Sequence, residues 1–310
     1  MRADLSDIID WHPEVAAART AAAAIVAFES SVLAQGLPSP ANREAHRRMC
    51  ESVRAAGAVP AVTAVAGGRA IIGLDGAALE RFLAAGAQKV SARDLAFAMA
   101  SGHDGSTTVA GALAICAAGG LDVLATGGIG GVHRAADGGR SFDESGDLLE
   151  LSRSRAVVVC AGAKAILDLP ATLERLETYG VTVIGFRTHE FPGFFTAATG
   201  LPVPATAESA AEVARALLVA RALGRVGALL VVQPPPAASA LDARVVAVAV
   251  QTALAKAAAA DVHGSAVTPF LLAAVERATA GKSVQTNLAL LESNARLAAD
   301  IAVAIGAERG

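Results

Sequence analysis

Apolar positions along the chain fall into two alternating textures. Runs that are apolar almost throughout, at 24–28, 61–65, 123–126, 157–160, 181–186 and 228–232, together with the shorter 89–90, predict strands. Few polar residues interrupt them, as expected of strands covered on both faces of a parallel sheet. Between them, residues 41–56, 92–101, 108–118, 165–178 and 207–223 carry helical periodicity. From 244 onward the pattern is almost wholly helical, through 244–259, 268–280 and 287–305. Proline and glycine punctuate the series, and 201–204 and 234–236 read as loops or crossovers. The expectation is an α/β protein, a three-layer α/β/α single domain over residues 1–310 with a helical C-terminal layer.

Composition narrows the function. Hydrophobic residues make up 54% of the chain, but much of that is alanine, which favours packed helices over a membrane span. The apolar run at 21–28 falls far short of the ~20 residues a span requires. Lys and Arg number 26 against 29 Asp and Glu, so no basic field invites nucleic acid. Aromatics are 4% of residues, with Trp11 and Tyr179 alone of their kinds, so base-stacking platforms are not expected. The three cysteines, Cys50, Cys116 and Cys160, are too scattered for a disulfide framework or a CxxC metal site. Cys160 ends an apolar run and reads as a core thiol. The first residues are acidic and lack the pattern of a secretory leader, so a soluble, cytoplasmic protein without a membrane partner is expected.

Five segments could carry chemistry. In VVVCAGAKAILDL, Lys164 follows a buried strand and three small residues at what the pattern makes a helix start. It reads either as a solvated surface lysine or as an amine able to form an imine with a carbon electrophile. Lys89 in QKVSARDL is an ordinary charge by itself. Sharing a pocket with Lys164, it would make each amine easier to deprotonate. Glu29 follows an apolar strand at the end where open α/β sheets bind ligands, and reads as a general acid/base or a structural carboxylate. In ATGGIGGVHRAADGGRSFDESGDLLEL the glycines do not fit G-x-G-x-x-G, which argues against a nicotinamide site. They permit close backbone approach, with His133 among them. Asp143, Glu144 and Asp147 read as a solvated loop or as hard oxygen ligands for Mg²⁺ or Mn²⁺. GSTTVAGAL offers hydroxyls ahead of a helix N-terminus, a reasonable anion site. The other five histidines have no partner legible in the sequence.

These segments, in order, resemble the pseudouridine-5'-phosphate glycosidase family over nearly the whole chain. The matching text runs from AFESSVLAQGLPSPAN through QKVSARDL, GSTTVAGAL, ATGGIGGVHR, SFDESGDLLEL and VVVCAGAKAILDL to AVTPFLL and QTNLALLESNARLAADIA. The resemblance implies a homotrimer that uses Mn²⁺ and reversibly splits the carbon–carbon bond between ribose 5-phosphate and uracil. It makes Lys164 the imine-forming nucleophile, Glu29 the proton donor and Asp143 the metal ligand. It puts Lys89, Thr108, Val109, Thr126, His133, Ser145, Gly146, Asp147 and Asn287 against the substrate. The chain also departs from the family's pattern. Gln35 stands where His is usual, Ala92 where Arg is, Gln233 for Asn and Ser265 for Lys. The segment 134–142 is about two residues longer. Gln35 and that segment could line the aglycone pocket. Two further readings therefore accompany the glycosidase: a C-glycosynthase joining ribose 5-phosphate to an aromatic or polyketide-like acceptor, and a non-catalytic sugar-phosphate binder.

Overall fold

The computed structural model describes residues 8–84, 87–134, 141–260, 262 and 267–309; most of the lengthened 134–142 segment, His263 and Ser265 lie outside the described residues. The N-terminal half runs β1 (Ile9–Trp11), α1 (Pro13–Thr20), β2 (Ile25–Phe28), α2 (Ser31–Ala34), α3 (Ala41–Ala55), β3 (Val59–Ala66), β4 (Arg69–Ile72) and α4 (Gly76–Leu83). It continues through β5 (Gln88–Val90), α5 (Leu95–Ala100), β6 (Gly105–Thr107), α6 (Val109–Gly119), β7 (Val123–Ala125) and β8 (Val132–His133). Then come α7 (Gly146–Arg153), β9 (Val157–Cys160), β10 (Leu167–Asp168), α8 (Leu169–Thr178), β11 (Thr182–Phe186), β12 (Ala205–Ala207), α9 (Ala210–Ala222) and β13 (Leu229–Val232). Three helices close the chain: α10 (Ala243–Ala259), α11 (Val267–Ala278) and α12 (Lys282–Arg309).

The apolar runs form the middle of one sheet, in the order β3-β2-β7-β9-β13-β11-β12, with every neighbouring pair parallel. Val157–Cys160 and Leu229–Val232 are buried at every position, which requires cover on both faces. On one face α12 crosses β2, β7 and β9 and packs between α3 and α9. On the other, α6 lies against β2, β3 and β7 and touches α7. That is the expected three-layer α/β/α arrangement, with α12 as the C-terminal part of one layer. Thr108 caps α6 by accepting from the Gly111 N–H, and Gly120 ends it with φ of 72°. Nearly all of α6 is buried, so it carries no polar face. Among the described residues, no helix is long and apolar enough to cross a membrane.

Six strands go beyond the sequence prediction: β1, β4, β6, β8, β10 and β12. Each spans two to four residues, too few for a period to show. Helices α1, α2, α4 and α7 are likewise additional. One difference bears on function. The sequence pattern starts a helix at 165, but α8 begins only at Leu169, so Lys164 does not stand at a helix N-terminus. Leu167 and Asp168 pair with β8 instead, Asp168 caps α8 by accepting from the Ala171 N–H at 3.0 Å, and a proline occupies the first turn.

Between β9 and Lys164 the chain turns at Gly162, whose φ is +84°. A Cβ there would collide with the carbonyl oxygen of Pro192. Gly57 has nearly the same φ, +83°, with open space around its Cβ direction. Gly57→Ala should therefore cost about 1–2 kcal/mol of stability through backbone strain alone. Gly162→Ala should cost more in urea unfolding, because a backbone contact must also give way. Equal costs would mean that the turn relaxes freely.

Candidate active site

The ends of the parallel strands deliver the polar groups. Glu29 is the residue after β2, and only 2% of its surface is exposed. A buried carboxylate needs donors, and it has two. Thr126, the residue after β7, donates its hydroxyl to Oε1 at 2.5 Å, and Ser31 donates its hydroxyl to Oε2 at 2.5 Å. Lys164 follows β9 and the Gly162 turn. Its N–H donates to the Ile129 carbonyl at 3.1 Å, while the Ile129 N–H donates to the Gly162 carbonyl at 3.1 Å. The glycine loop after β7 and the turn after β9 are thus laced together, and Lys164 is half-buried beside them.

Two adjoining cavities open here. The inner one is narrow, about 40 Å³, and is bordered by Glu29, Gln35, Lys89, Thr126, Lys164 and Asn287, with Phe194 and Leu272 as apolar walls. The outer one is a wide cleft of about 690 Å³, bordered by Lys89, Thr108, His133, Asp143, Asp147 and Lys164. Both lysines belong to both cavities, so the structure brings together the two amines that the sequence leaves apart. Lys89 is exposed overall, yet loss of water around it and the neighbouring Lys164 ammonium push its pKa down, against the pull of Glu29 and Asp147. His133 is also held below its ordinary value, first by burial and then by both lysines, with Asp143 opposing. Burial pushes the Cys160 thiol up to about 12, so it is an inert core group.

The remaining predicted residues divide by what they hold. Thr108 and Ser145 cap α6 and α7, and Gly146 opens α7. The Asp147 carboxylate accepts the Ala110 N–H at 2.9 Å and the Gly130 N–H at 2.8 Å, joining the start of α6 to the glycine loop. Val109 is buried, so it offers a ligand only its backbone, and its N–H has no partner among the described residues. The acidic segment does not act as one cluster. Glu144 is paired with Arg175 at 2.6 Å and Asp147 is spent on amides, which leaves Asp143, exposed, as the carboxylate without a partner among the described residues. Among the described residues no three side chains gather as metal ligands. The glycines of the loop admit protein more than ligand: a Cβ on Gly130 would strike Ser145, and one on Gly131 would strike Thr172.

Asn287 lies on α12, 6% exposed, and its Oδ1 is buried without a hydrogen-bond partner. Gln35 borders the same cavity, but its amide is held by the protein: Nε2 donates to the Ala87 carbonyl at 2.8 Å and Oε1 accepts from the Ser106 hydroxyl at 2.9 Å. Gln233 donates to Asn294 Oδ1 at 2.9 Å. Ala92 lines the outer cleft without a polar group of its own. His12, without a legible partner in the sequence, caps α1 and contacts Asp75 at 3.0 Å. Sequence reasoning missed Ser31, Asn294 and Phe194. Only Ser31 left a signal, a hydroxyl two residues beyond Glu29. A third cavity, of about 430 Å³, lies at the opposite ends of β2 and β7. Its one carboxylate, Asp122, is occupied by Arg221 at 2.5 Å and Arg309 at 2.6 Å, and no reactive grouping faces it.

Known proteins resemble this chain over nearly its whole length. The family model described as indigoidine synthase A like protein matches residues 14–304. A pseudouridine-5'-phosphate glycosidase of Gemmatimonas aurantiaca is 60% identical over 284 residues, covering 91% of this chain and 92% of the relative. Its counterpart in Herpetosiphon aurantiacus is 48% identical over 294 residues, covering 94% and 96%. Among solved structures, the prealnumycin C-glycosynthase AlnA, in complex with ribulose 5-phosphate, superposes with a TM-score of 0.89 at 36% identity over 97% of this chain and 98% of that one. An indigoidine synthase A-like protein of Thermotoga maritima superposes at 0.87 with 34% identity, covering 96% and 97%. Likeness of this extent establishes kinship as well as fold: the chain belongs to the indigoidine synthase A-like family and has pseudouridine-5'-phosphate glycosidases among its relatives.

Proposed function

We propose that this protein is a C-glycosidase that reversibly splits pseudouridine 5'-phosphate into ribose 5-phosphate and uracil. The observation that carries the reading is the Asn287 carbonyl oxygen, buried without a donor at the wall of a narrow cavity shared with Glu29 and Lys164. An unpaired buried acceptor costs about 1–3 kcal/mol, which a ligand N–H would recover. Uracil attached through carbon presents two ring N–H groups and is thin enough for a narrow slot. The wide cleft beyond the lysines suits the phosphorylated sugar, with Thr108 at the start of α6 on its border.

The chemistry follows from the residues. A base bound through carbon is a poor leaving group, so the usual pair of carboxylates does not suffice. Glu29 gives a proton to the ring oxygen as the sugar opens, and the Lys164 amine takes C1'. The proton that the Lys164 nitrogen sheds on bonding C1' reloads Glu29, which passes it to the linking carbon of the base; the C1'–C bond then breaks, its electron pair returning to the uracil ring. The nitrogen lone pair meanwhile forms the C=N bond, and water releases ribose 5-phosphate. Lys89 sits where an ammonium offsets phosphate charge.

Mn²⁺ belongs to this proposal. The donor set fits an open, hydrated ion held by Asp143 with substrate oxygens completing the shell, and does not make a closed cage. Such an ion would supply positive charge to the sugar phosphate. A homotrimer in the cytoplasm completes the reading; the exposed aromatic rings of Phe97 and Phe142 are surface that a subunit contact would cover.

The likeness to a C-glycosynthase supports a second reading, in which the acceptor is a larger aromatic compound. Two experiments separate the possibilities. Ribose 5-phosphate with borohydride should leave a reduced adduct on Lys164, and an unmodified peptide there would remove the imine. With uracil and Mn²⁺ added, pseudouridine 5'-phosphate should form; an adduct without that product would favour the synthase. Asn287→Leu should lower kcat/KM for pseudouridine 5'-phosphate by about 10- to 100-fold while leaving the borohydride adduct intact.

A further inference from the structure

We infer that Asn294 is a positioning residue for Glu29, acting through Thr126. Asn294 sits in the middle of α12, 1% exposed, on a face otherwise made of Leu290, Leu291, Ala295 and Ala298, all buried. Packing a helix on a sheet needs no amide there, and burying one is costly unless every polar atom is paired. Here the pairing reaches two strand ends. Asn294 Nδ2 donates to the Thr126 carbonyl at 2.8 Å, with the Gly127 carbonyl at 3.5 Å, and Oδ1 accepts from Gln233 at the end of β13. Thr126 is fixed from its other side by its N–H, which donates to the Val159 carbonyl at 3.0 Å. Both backbone polar groups of Thr126 are therefore held, and from that fixed backbone its hydroxyl donates to Glu29 Oε1.

Neither Asn294 nor Gln233 borders the inner cavity, so their effect on the reaction passes through the side chain that does. A displacement of about 1 Å at a reacting group can cost on the order of 100-fold in rate. The inference rests on Glu29 as the proton donor. It also gives a role to Gln233, one of the chain's departures from its family's pattern, which occupies the acceptor of Asn294 and orients the amide.

The test is a double-mutant cycle in kcat. Asn294→Leu keeps the volume and removes the donor; Thr126→Val keeps the volume and removes the hydroxyl. Each single variant should lower kcat about 10- to 100-fold with KM within about 3-fold, and the double variant should be no slower than Thr126→Val alone. The borohydride adduct on Lys164 should persist in all three. Multiplicative losses, or loss of the adduct together with kcat, would overturn the inference and leave Asn294 a packing residue. If Asn294→Leu does not fold, Gln233→Met replaces it in the same cycle. A loss of kcat that disappears in the Thr126→Val background then supports the inference, and one that persists there overturns it. Glu29→Gln serves as the separate control: full activity in that variant would refute the proton donor itself, independently of the cycle.

Discussion

A sheet with apolar side chains on both faces leaves a charge nowhere to go except where strands stop. Parallel pairing then puts all of those stops for β2, β7, β9 and β13 on one edge. Glu29, Thr126, the Lys164 turn and Gln233 are each the first polar opportunity after a buried run, which is why four segments distant in sequence meet at one end of the sheet. The site is thus a by-product of how the core is built, and its geometry is as rigid as the core. Buried carboxylate and buried strand end make the same demand, that every polar atom find a donor or acceptor, and hydroxyls and amides from neighbouring elements meet it.

Charge balance gives the site its second constraint. Two lysines placed together are unfavourable for both, and the pair is tolerable because Glu29 and Asp147 lie close and because an anionic ligand is to arrive. Loss of water first, and that repulsion second, lower the proton affinity of both His133 and Lys89. The protein alone therefore carries an electrostatic imbalance, which the phosphorylated sugar of the proposed reaction would relieve.

Much of this was legible in the sequence, for identifiable reasons. IVAF, VVVC and LLVV announce buried strands because nothing polar interrupts them, and the residues following the first two carry the chemistry. Lys164 was readable as a lysine beyond a strand but not as a loop residue, since the pairing of Leu167 and Asp168 with β8 is a long-range event that local periodicity cannot register. The division of labour among Asp143, Glu144 and Asp147 was hidden in the same way: which carboxylate stays free depends on Arg175 and on amides of α6, all remote in sequence. Asn294 was invisible, one amide within a long helical pattern. Gln35, which the sequence offers as a lining of the aglycone pocket, does border the inner cavity, but its amide is tied to Ala87 and Ser106 through bonds that no local pattern shows.

Helix α12 has a consequence for how such a site can diversify. Asn287 and Asn294 are seven residues apart, two turns along one face, so the unpaired amide at the inner cavity and the amide that holds Thr126 ride on a single rod. Sliding or tilting that rod to admit a bulkier acceptor would detune the acid at the same stroke. Leu272, contributed by α11, borders the chamber without any tie to Thr126. Enlargement there leaves the acid undisturbed, which makes α11 the element through which an inherited catalyst can be refitted to new acceptors.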